Sequence, residues 1–240
     1  MKIKPLFLIF ISINVLSQPA ERLDKPYEFS SSSKICNYTS YYSKEILLEI
    51  MNEAKTGNSQ ASYFLFFGSK IIKNEELPSA DNLLQLMLNN GNPYGLTTKA
   101  SMLFFNKKYK DGLFYFEKAA ELGDISAILS LREIYSSEKY SELMNLPLSL
   151  YWWRREALSG NIYYLKQYIH NNPEKLPINE LKHWQNAYNI LINQDKVEIS
   201  KKDISTKTKL ILFQINENRE KAINTLKKHH PWYGNYKYCK

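Results

Sequence analysis

The chain has 240 residues, 44% of them hydrophobic and only 8 of them glycine, which excludes global disorder and argues against a turn-rich all-β fold. Its formal charge of +8 would suit a nucleic-acid surface if it were spread over the fold, but residues 18–194 balance at 19 basic and 19 acidic side chains. The excess lies in Lys2 and Lys4 and in residues 195–240, with 11 basic and 5 acidic, a pattern that reads as a solvated lysine-rich helix and tail and not as a nucleic-acid site.

In chain order, residues 1–17 have the layout of a secretory signal peptide. Lys2 and Lys4 precede an apolar run from Leu6 to Leu16, and Val15-Leu16-Ser17 forms a small-residue cleavage site. The run is shorter than the roughly 20 residues that span a bilayer, so no integral membrane span is expected after cleavage; an uncleaved anchor is the competing reading. Residues 18–39 are polar and aperiodic, with Pro19, Pro26 and a run of serines, and read as an extended arm. Cys36 ends that arm, and the other cysteine, Cys239, is next to the last residue. In an exported chain such a pair reads as a disulfide that ties the two ends together, two free or intermolecular thiols being the alternative.

Residues 40–194 carry helical periodicity throughout. The expected helices span about 41–55, 58–70, 79–90, 93–106, 110–121, 124–137, 147–158, 161–171 and 178–193. The connection from Ser136 to Leu146 is long and ends at Pro147, a suitable first helical residue. Residues 195–240 form a last unit, with a helix of about 20 residues from Thr206 and a tail containing Trp232, Tyr233, Tyr236 and Tyr238. His229 and His230 read as a solvated helix end.

Four corners punctuate the helices, at Gly57-Asn58, Gly91-Asn92, Gly123-Asp124 and Gly160-Asn161, spaced 34, 32 and 37 residues apart. Glycine ends one helix in the left-handed conformation and Asn or Asp caps the next. Ala54, Ala120 and Ala157 sit three residues before a glycine, and Ala61 and Ala127 four after, where small side chains let neighbouring helices approach. A near-constant period with small residues at fixed offsets is the signature of a repeat array.

The residues offer no catalytic constellation. The four histidines show no HExxH spacing, no GxSxG occurs, and the glycines are used in corners rather than in a phosphate loop. Neither a metal nor a cofactor is expected, and the aromatic residues fit helix packing better than a stacking platform for bases or sugars.

The segment Tyr115-Phe116, Lys118, Ala119, Ala120 and Gly123 resembles the Sel-one-like repeats, bacterial relatives of tetratricopeptide repeats. Trp152-Trp153, Arg155, Ala157 and Gly160 resemble them too, with Glu156 in place of one alanine. The likeness is best over about 105–170 and is absent from the leader and the last 45 residues; the family's glycine-rich loop within a repeat is missing. The resemblance implies an all-α fold, an αα-hairpin solenoid coiled as a right-handed superhelix, whose groove binds a protein or peptide. On the first helices of the hairpins, Tyr94, Lys99, Arg132 and Tyr163 are the candidate partner-binding residues, with ordinary surface or core filling as the other reading of each. Together with the leader and the lack of a catalytic constellation, it points to an exported protein of the Gram-negative periplasm, or a secreted one, that is not an enzyme. Its partner would be another protein, with a cognate toxin or effector enzyme such as a phospholipase as the sharper expectation, which it would neutralise as an immunity protein. An envelope β-lactam-interacting or cell-wall protein, or a host-directed virulence factor, is the alternative.

Overall fold

A computed structural model of the chain describes residues 42–69, 77–193 and 204–230. The expected signal peptide, the arm over 18–39, the Cys36–Cys239 bond and the aromatic tail from Trp232 onward lie outside these residues. Among the described residues every regular element is helical: α1 (Lys44–Lys55), α2 (Ser59–Gly68), α3 (Ala80–Asn89), α4 (Pro93–Phe105), α5 (Tyr109–Glu121), α6 (Ile125–Ser136), α7 (Leu146–Ala157), α8 (Ile162–Asn171), α9 (Ile178–Ile192) and α10 (Thr206–His229), with a 3-10 segment at Glu138–Leu143 between α6 and α7. From α1 to α9 each helix packs on the one before it and the one after it, an arrangement compatible with a helical-repeat array.

The four corners share their glycine conformation and their cap. Gly57, Gly91, Gly123 and Gly160 have φ of +104°, +62°, +91° and +92°, a region open to glycine and strained for other residues. At the first three, the glycine N–H donates to the carbonyl three residues back (Ala54, Leu88, Ala120; 3.0–3.2 Å). The following N–H donates to the carbonyl five back (Glu53, Met87, Ala119; 2.9–3.1 Å). This pair of bonds satisfies the orphan carbonyls of the ending helix. The same following residue then starts the next helix: the side-chain oxygens of Asn58, Asn92, Asp124 and Asn161 accept from the amides two residues on at 2.8–3.0 Å. Ala54, Ala61, Ala120, Ala127 and Ala157 flank the corners with no exposed surface at all.

Three described connections depart from that scheme, the one from α8 to α9 turning at Asn172 and Lys175 with φ of +40° and +51°. Between α4 and α5 a lysine does the glycine's work: Lys107 stands at φ +59°, its N–H donating to Phe104 O at 3.0 Å and that of Lys108 to Leu103 O at 2.8 Å. The Ser136–Leu146 connection is not an open loop. Ser137 caps the 3-10 segment, Asn145 N–H returns to Tyr135 O at 2.9 Å, and the Tyr140 ring stands edge-on to Phe104 with centroids 5.5 Å apart.

The core runs in three stretches along the helices. Ile50, Phe64, Leu65, Leu83 and Met87 fill α1 to α3. Phe116, Ala119, Leu131, Ile134 and Trp152 fill the middle, and Leu165, Tyr168, Trp184, Leu191 and Ile215 fill the end.

The last helix does more than extend this order. At 24 residues, α10 is about 36 Å long, enough to reach across several neighbours. Its first half, with Ile211, Leu212 and Ile215, completes the core of α8 and α9. Its second half crosses the corners in reverse. Asn218 Nδ2 donates to Leu158 O at 3.2 Å, and Arg219 lies against Gly160, where an added Cβ would stand 3.0 Å from Arg219 Cβ. Thr225 Oγ1 donates to Leu122 O at 2.7 Å beside Gly123, and Gln60 Nε2 donates to Lys227 O at 2.6 Å. The helix thus ties the fourth, third and first corners together along one edge.

Two substitutions test the backbone argument. Lys107→Gly relieves a left-handed lysine and is expected to raise urea-derived stability by about 1 kcal/mol. Gly95→Ala, though it favours helix, would place a Cβ 2.8 Å from Met87 Cβ and is expected to lower stability by about 1–3 kcal/mol in the same measurement.

Candidate functional site

The four residues singled out for partner contact fall on three helices, α4, α6 and α8. Tyr94, in the first turn of α4, is half-buried: its ring meets Tyr63 edge-on with centroids 5.4 Å apart, and His230 of α10 at 5.4 Å. Lys99, further along α4, is also half-buried. Tyr163 on α8 is 61% exposed, its ring edge-on to Tyr164. Arg132 on α6 is 32% exposed and reaches inward to a buried partner.

Arg132 Nη1 donates to Glu156 Oε2 at 2.7 Å, and its guanidinium lies over the Trp153 ring at 5.3 Å. Glu156 occupies in α7 the place that Ala119 holds in α5, and it is only 2% exposed. Burial pushes its carboxyl up to about 7, with the Arg132 charge and hydrogen bond pulling the other way. A buried carboxylate with one cation depends on that cation; the pair is a constraint on how α6 meets α7, not a gain over apolar packing.

A second polar assembly lies where α10 ends. Asn92 Oδ1 accepts from the N–H groups of Tyr94 and Gly95 at 3.0 and 3.4 Å, which fixes the amide so that Nδ2 faces inward. Nδ2 donates to Ser59 O, Ser59 Oγ and His229 O at 3.3, 3.0 and 3.1 Å. Ser59 Oγ in turn lies 2.7 Å from His229 Nδ1. Three segments far apart in sequence therefore share one buried network: the start of α2, the start of α4 and the end of α10.

This corrects the reading of His229-His230 as a solvated helix end. They are 5% and 3% exposed, and burial lowers them to about 4 and about 3, with Lys228 adding to the shift at His229. They are buried because α10 is long enough to carry them back to the first two corners.

The third corner carries its own perturbed acid. Asp124 is 4% exposed, caps α6, and accepts from Thr97 Oγ1 at 2.6 Å; burial raises it to about 6. Its ionisation therefore costs more in the fold than in the open chain, so this contribution weakens the fold as pH rises from about 4 to about 6.

At the helix ends remote from the corners, large apolar side chains face solvent. Phe105 closes α4 at 89% exposed, Leu146 opens α7 at 66%, and Ile178 opens α9 at 88%. Met144, just before α7, is 52% exposed. The sequence pattern gave no sign of them, since each stands at a helix end where periodicity is weakest. Among the described residues no group of three or more His, Cys, Asp or Glu could hold a metal ion, and no helix is long and apolar enough to cross a membrane.

No protein-family model, no curated protein and no solved structure matches the chain.

Two predictions follow from the buried charges. Arg132→Ala strands Glu156 and is expected to cost about 3 kcal/mol, and adding Glu156→Ala is expected to recover most of it, as read by urea denaturation of both variants. Asp124→Asn keeps the cap, as Asn does at the other three corners, and removes the ionisation cost. Its melting temperature at pH 7 is expected to match or exceed that of the parent, and the difference is expected to shrink as pH falls toward 4.

Proposed function

We propose that this chain is a non-enzymatic, protein-binding helical-repeat protein of the Sel-one-like kind, its hairpins coiled as a right-handed superhelix. The observation that carries the reading is the set of large apolar side chains left bare at one end of the helices, Phe105, Leu146 and Ile178, while α10 covers the opposite end. What supports the reading is that these side chains stand together on the helix ends away from α10, and apolar side chains gathered on one edge are a surface that partner contacts use. Of the four residues first chosen, Tyr163 is the one with the exposure a contact residue needs. Arg132 and Tyr94 make contacts within the fold, and the contact surface proposed is the turn edge together with Tyr163.

The finer reading is an immunity protein of the Gram-negative periplasm that neutralises a secreted antibacterial effector such as a phospholipase. Export rests on Lys2, Lys4 and the apolar run after them, and neutralisation needs a shaped surface without chemistry of its own. The test is titration of the purified protein against the enzyme encoded beside its gene. Stoichiometric inhibition is expected, and Phe105→Ser with Ile178→Ser is expected to weaken binding by at least about tenfold with the helical circular dichroism unchanged. An adjacent gene without a toxin-like enzyme, together with no captured effector, removes the immunity reading; wild-type affinity in the double variant removes the turn edge as the contact.

A further inference from the structure

We propose that the end of α10 is an acid-released clasp: at neutral pH it locks the first two corners together, and in acid it lets go and uncovers the aromatic surface of Tyr63 and Tyr94.

The geometry gives the clasp its sensitivity. Asn92 Nδ2 can only donate, and Ser59 Oγ takes one of its protons at 3.0 Å. Ser59 Oγ lies 2.7 Å from His229 Nδ1, and in the neutral tautomer that leaves Nδ1 unprotonated the hydroxyl donates to it. A proton placed on Nδ1 turns the acceptor into a donor and sets a positive charge in a site with 5% exposure. His230, the next residue, stands between two aromatic rings, its centroid 4.7 Å from that of Tyr63 and 5.4 Å from that of Tyr94.

The described groups in contact with the two imidazoles do not favour a cation. From α2 come the neutral hydroxyl of Ser59 and the phenol of Tyr63; from α4 come the neutral amide of Asn92 and the phenol of Tyr94. From α10 itself comes the ammonium of Lys228, which opposes protonation of His229, with Lys227 beside it. The carboxylate of the α1/α2 corner, Glu53, is engaged by Asn58 Nδ2 at 3.2 Å. The rest of the hold is the bond from Gln60 Nε2 to Lys227 O, the bond from Asn92 Nδ2 to His229 O and one buried apolar side chain, Leu226, and it sits at the end of α10 farthest from the apolar contacts of Ile211, Leu212 and Ile215. Release of the last turns therefore leaves the anchored half of the helix in place.

The direction follows from linkage. A histidine whose folded value lies below its open value binds fewer protons when docked, so docking is fully favoured above about 6.5 and weakens as pH falls toward the folded value. For His229 alone, about 6.5 when released and about 4 when docked, release becomes easier on the order of 30-fold between pH 7.5 and pH 5.

The experiment is amide hydrogen exchange on the full chain at pH 7.5 and pH 5, corrected for the intrinsic pH dependence of exchange. Residues 224–230 and the first turns of α2 and α4 are expected to lose protection by tens of fold at pH 5, with α6 to α9 unchanged. In a His229→Gln, His230→Gln variant the difference between the two pH values is expected to vanish. A direct titration of the wild-type imidazoles by nuclear magnetic resonance covers the case in which that variant does not fold: a transition for His229 below about 5.5 is expected. Equal protection at both pH values, or a His229 that titrates at its ordinary value, overturns the proposal.

Discussion

The structure depends on a corner in which one residue serves two helices. At Gly57-Asn58, Gly91-Asn92 and Gly123-Asp124 the residue after the glycine gives its N–H to the helix that ends and its side-chain oxygen to the helix that begins. That double duty leaves no room for a loop, so consecutive helices must fold back on each other at once. The buried alanines on either side then let the backbones close to contact distance, and larger residues there would force them apart. Local chemistry sets the stacking; the apolar core fills in behind it.

An array built only from such corners would be held by contacts between neighbours, and its ends would open independently. α10 changes that. It leaves the last core, passes the fourth and third corners, and finishes in a buried network with Ser59 and Asn92 at the first two. At the fourth and third corners it donates to equivalent backbone carbonyls, those of Leu158 and Leu122, and at the first two its own carbonyls accept from Gln60 and Asn92. The edge it covers is closed to partners, which is why the exposed side chains at the other ends of the helices bear the functional reading.

Much of the fold was legible from local pattern. The glycine and Asn or Asp pairs placed the corners, and the helices began and ended within a few residues of where periodicity put them; α1 starts at Lys44 because Ser43 caps it there. What local pattern does not carry is a meeting between distant residues. His229 looked solvated because its partners, Ser59 and Asn92, lie 170 and 137 residues away. Arg132 looked like a free surface cation because its partner stands 24 residues away, a glutamate at the place in α7 that Ala119 holds in α5. That substitution at Glu156 was the one signal in the sequence, since a charge entering a buried column calls for a counter-charge nearby. Lys107 was hidden for another reason: a left-handed lysine leaves no mark in composition, and the short connection between α4 and α5 alone hinted at it.

The central claim is that α10 binds the corners of the array into one cooperative body. Native-state hydrogen exchange in rising, sub-denaturing urea measures it directly, by the free energy at which each helix opens. The account predicts that the most protected amides of α2 and of α9 converge on one common opening free energy, equal to that of global unfolding. A clearly lower value for α1 to α3, opening as a separate unit while α8 to α10 stay protected, would contradict it.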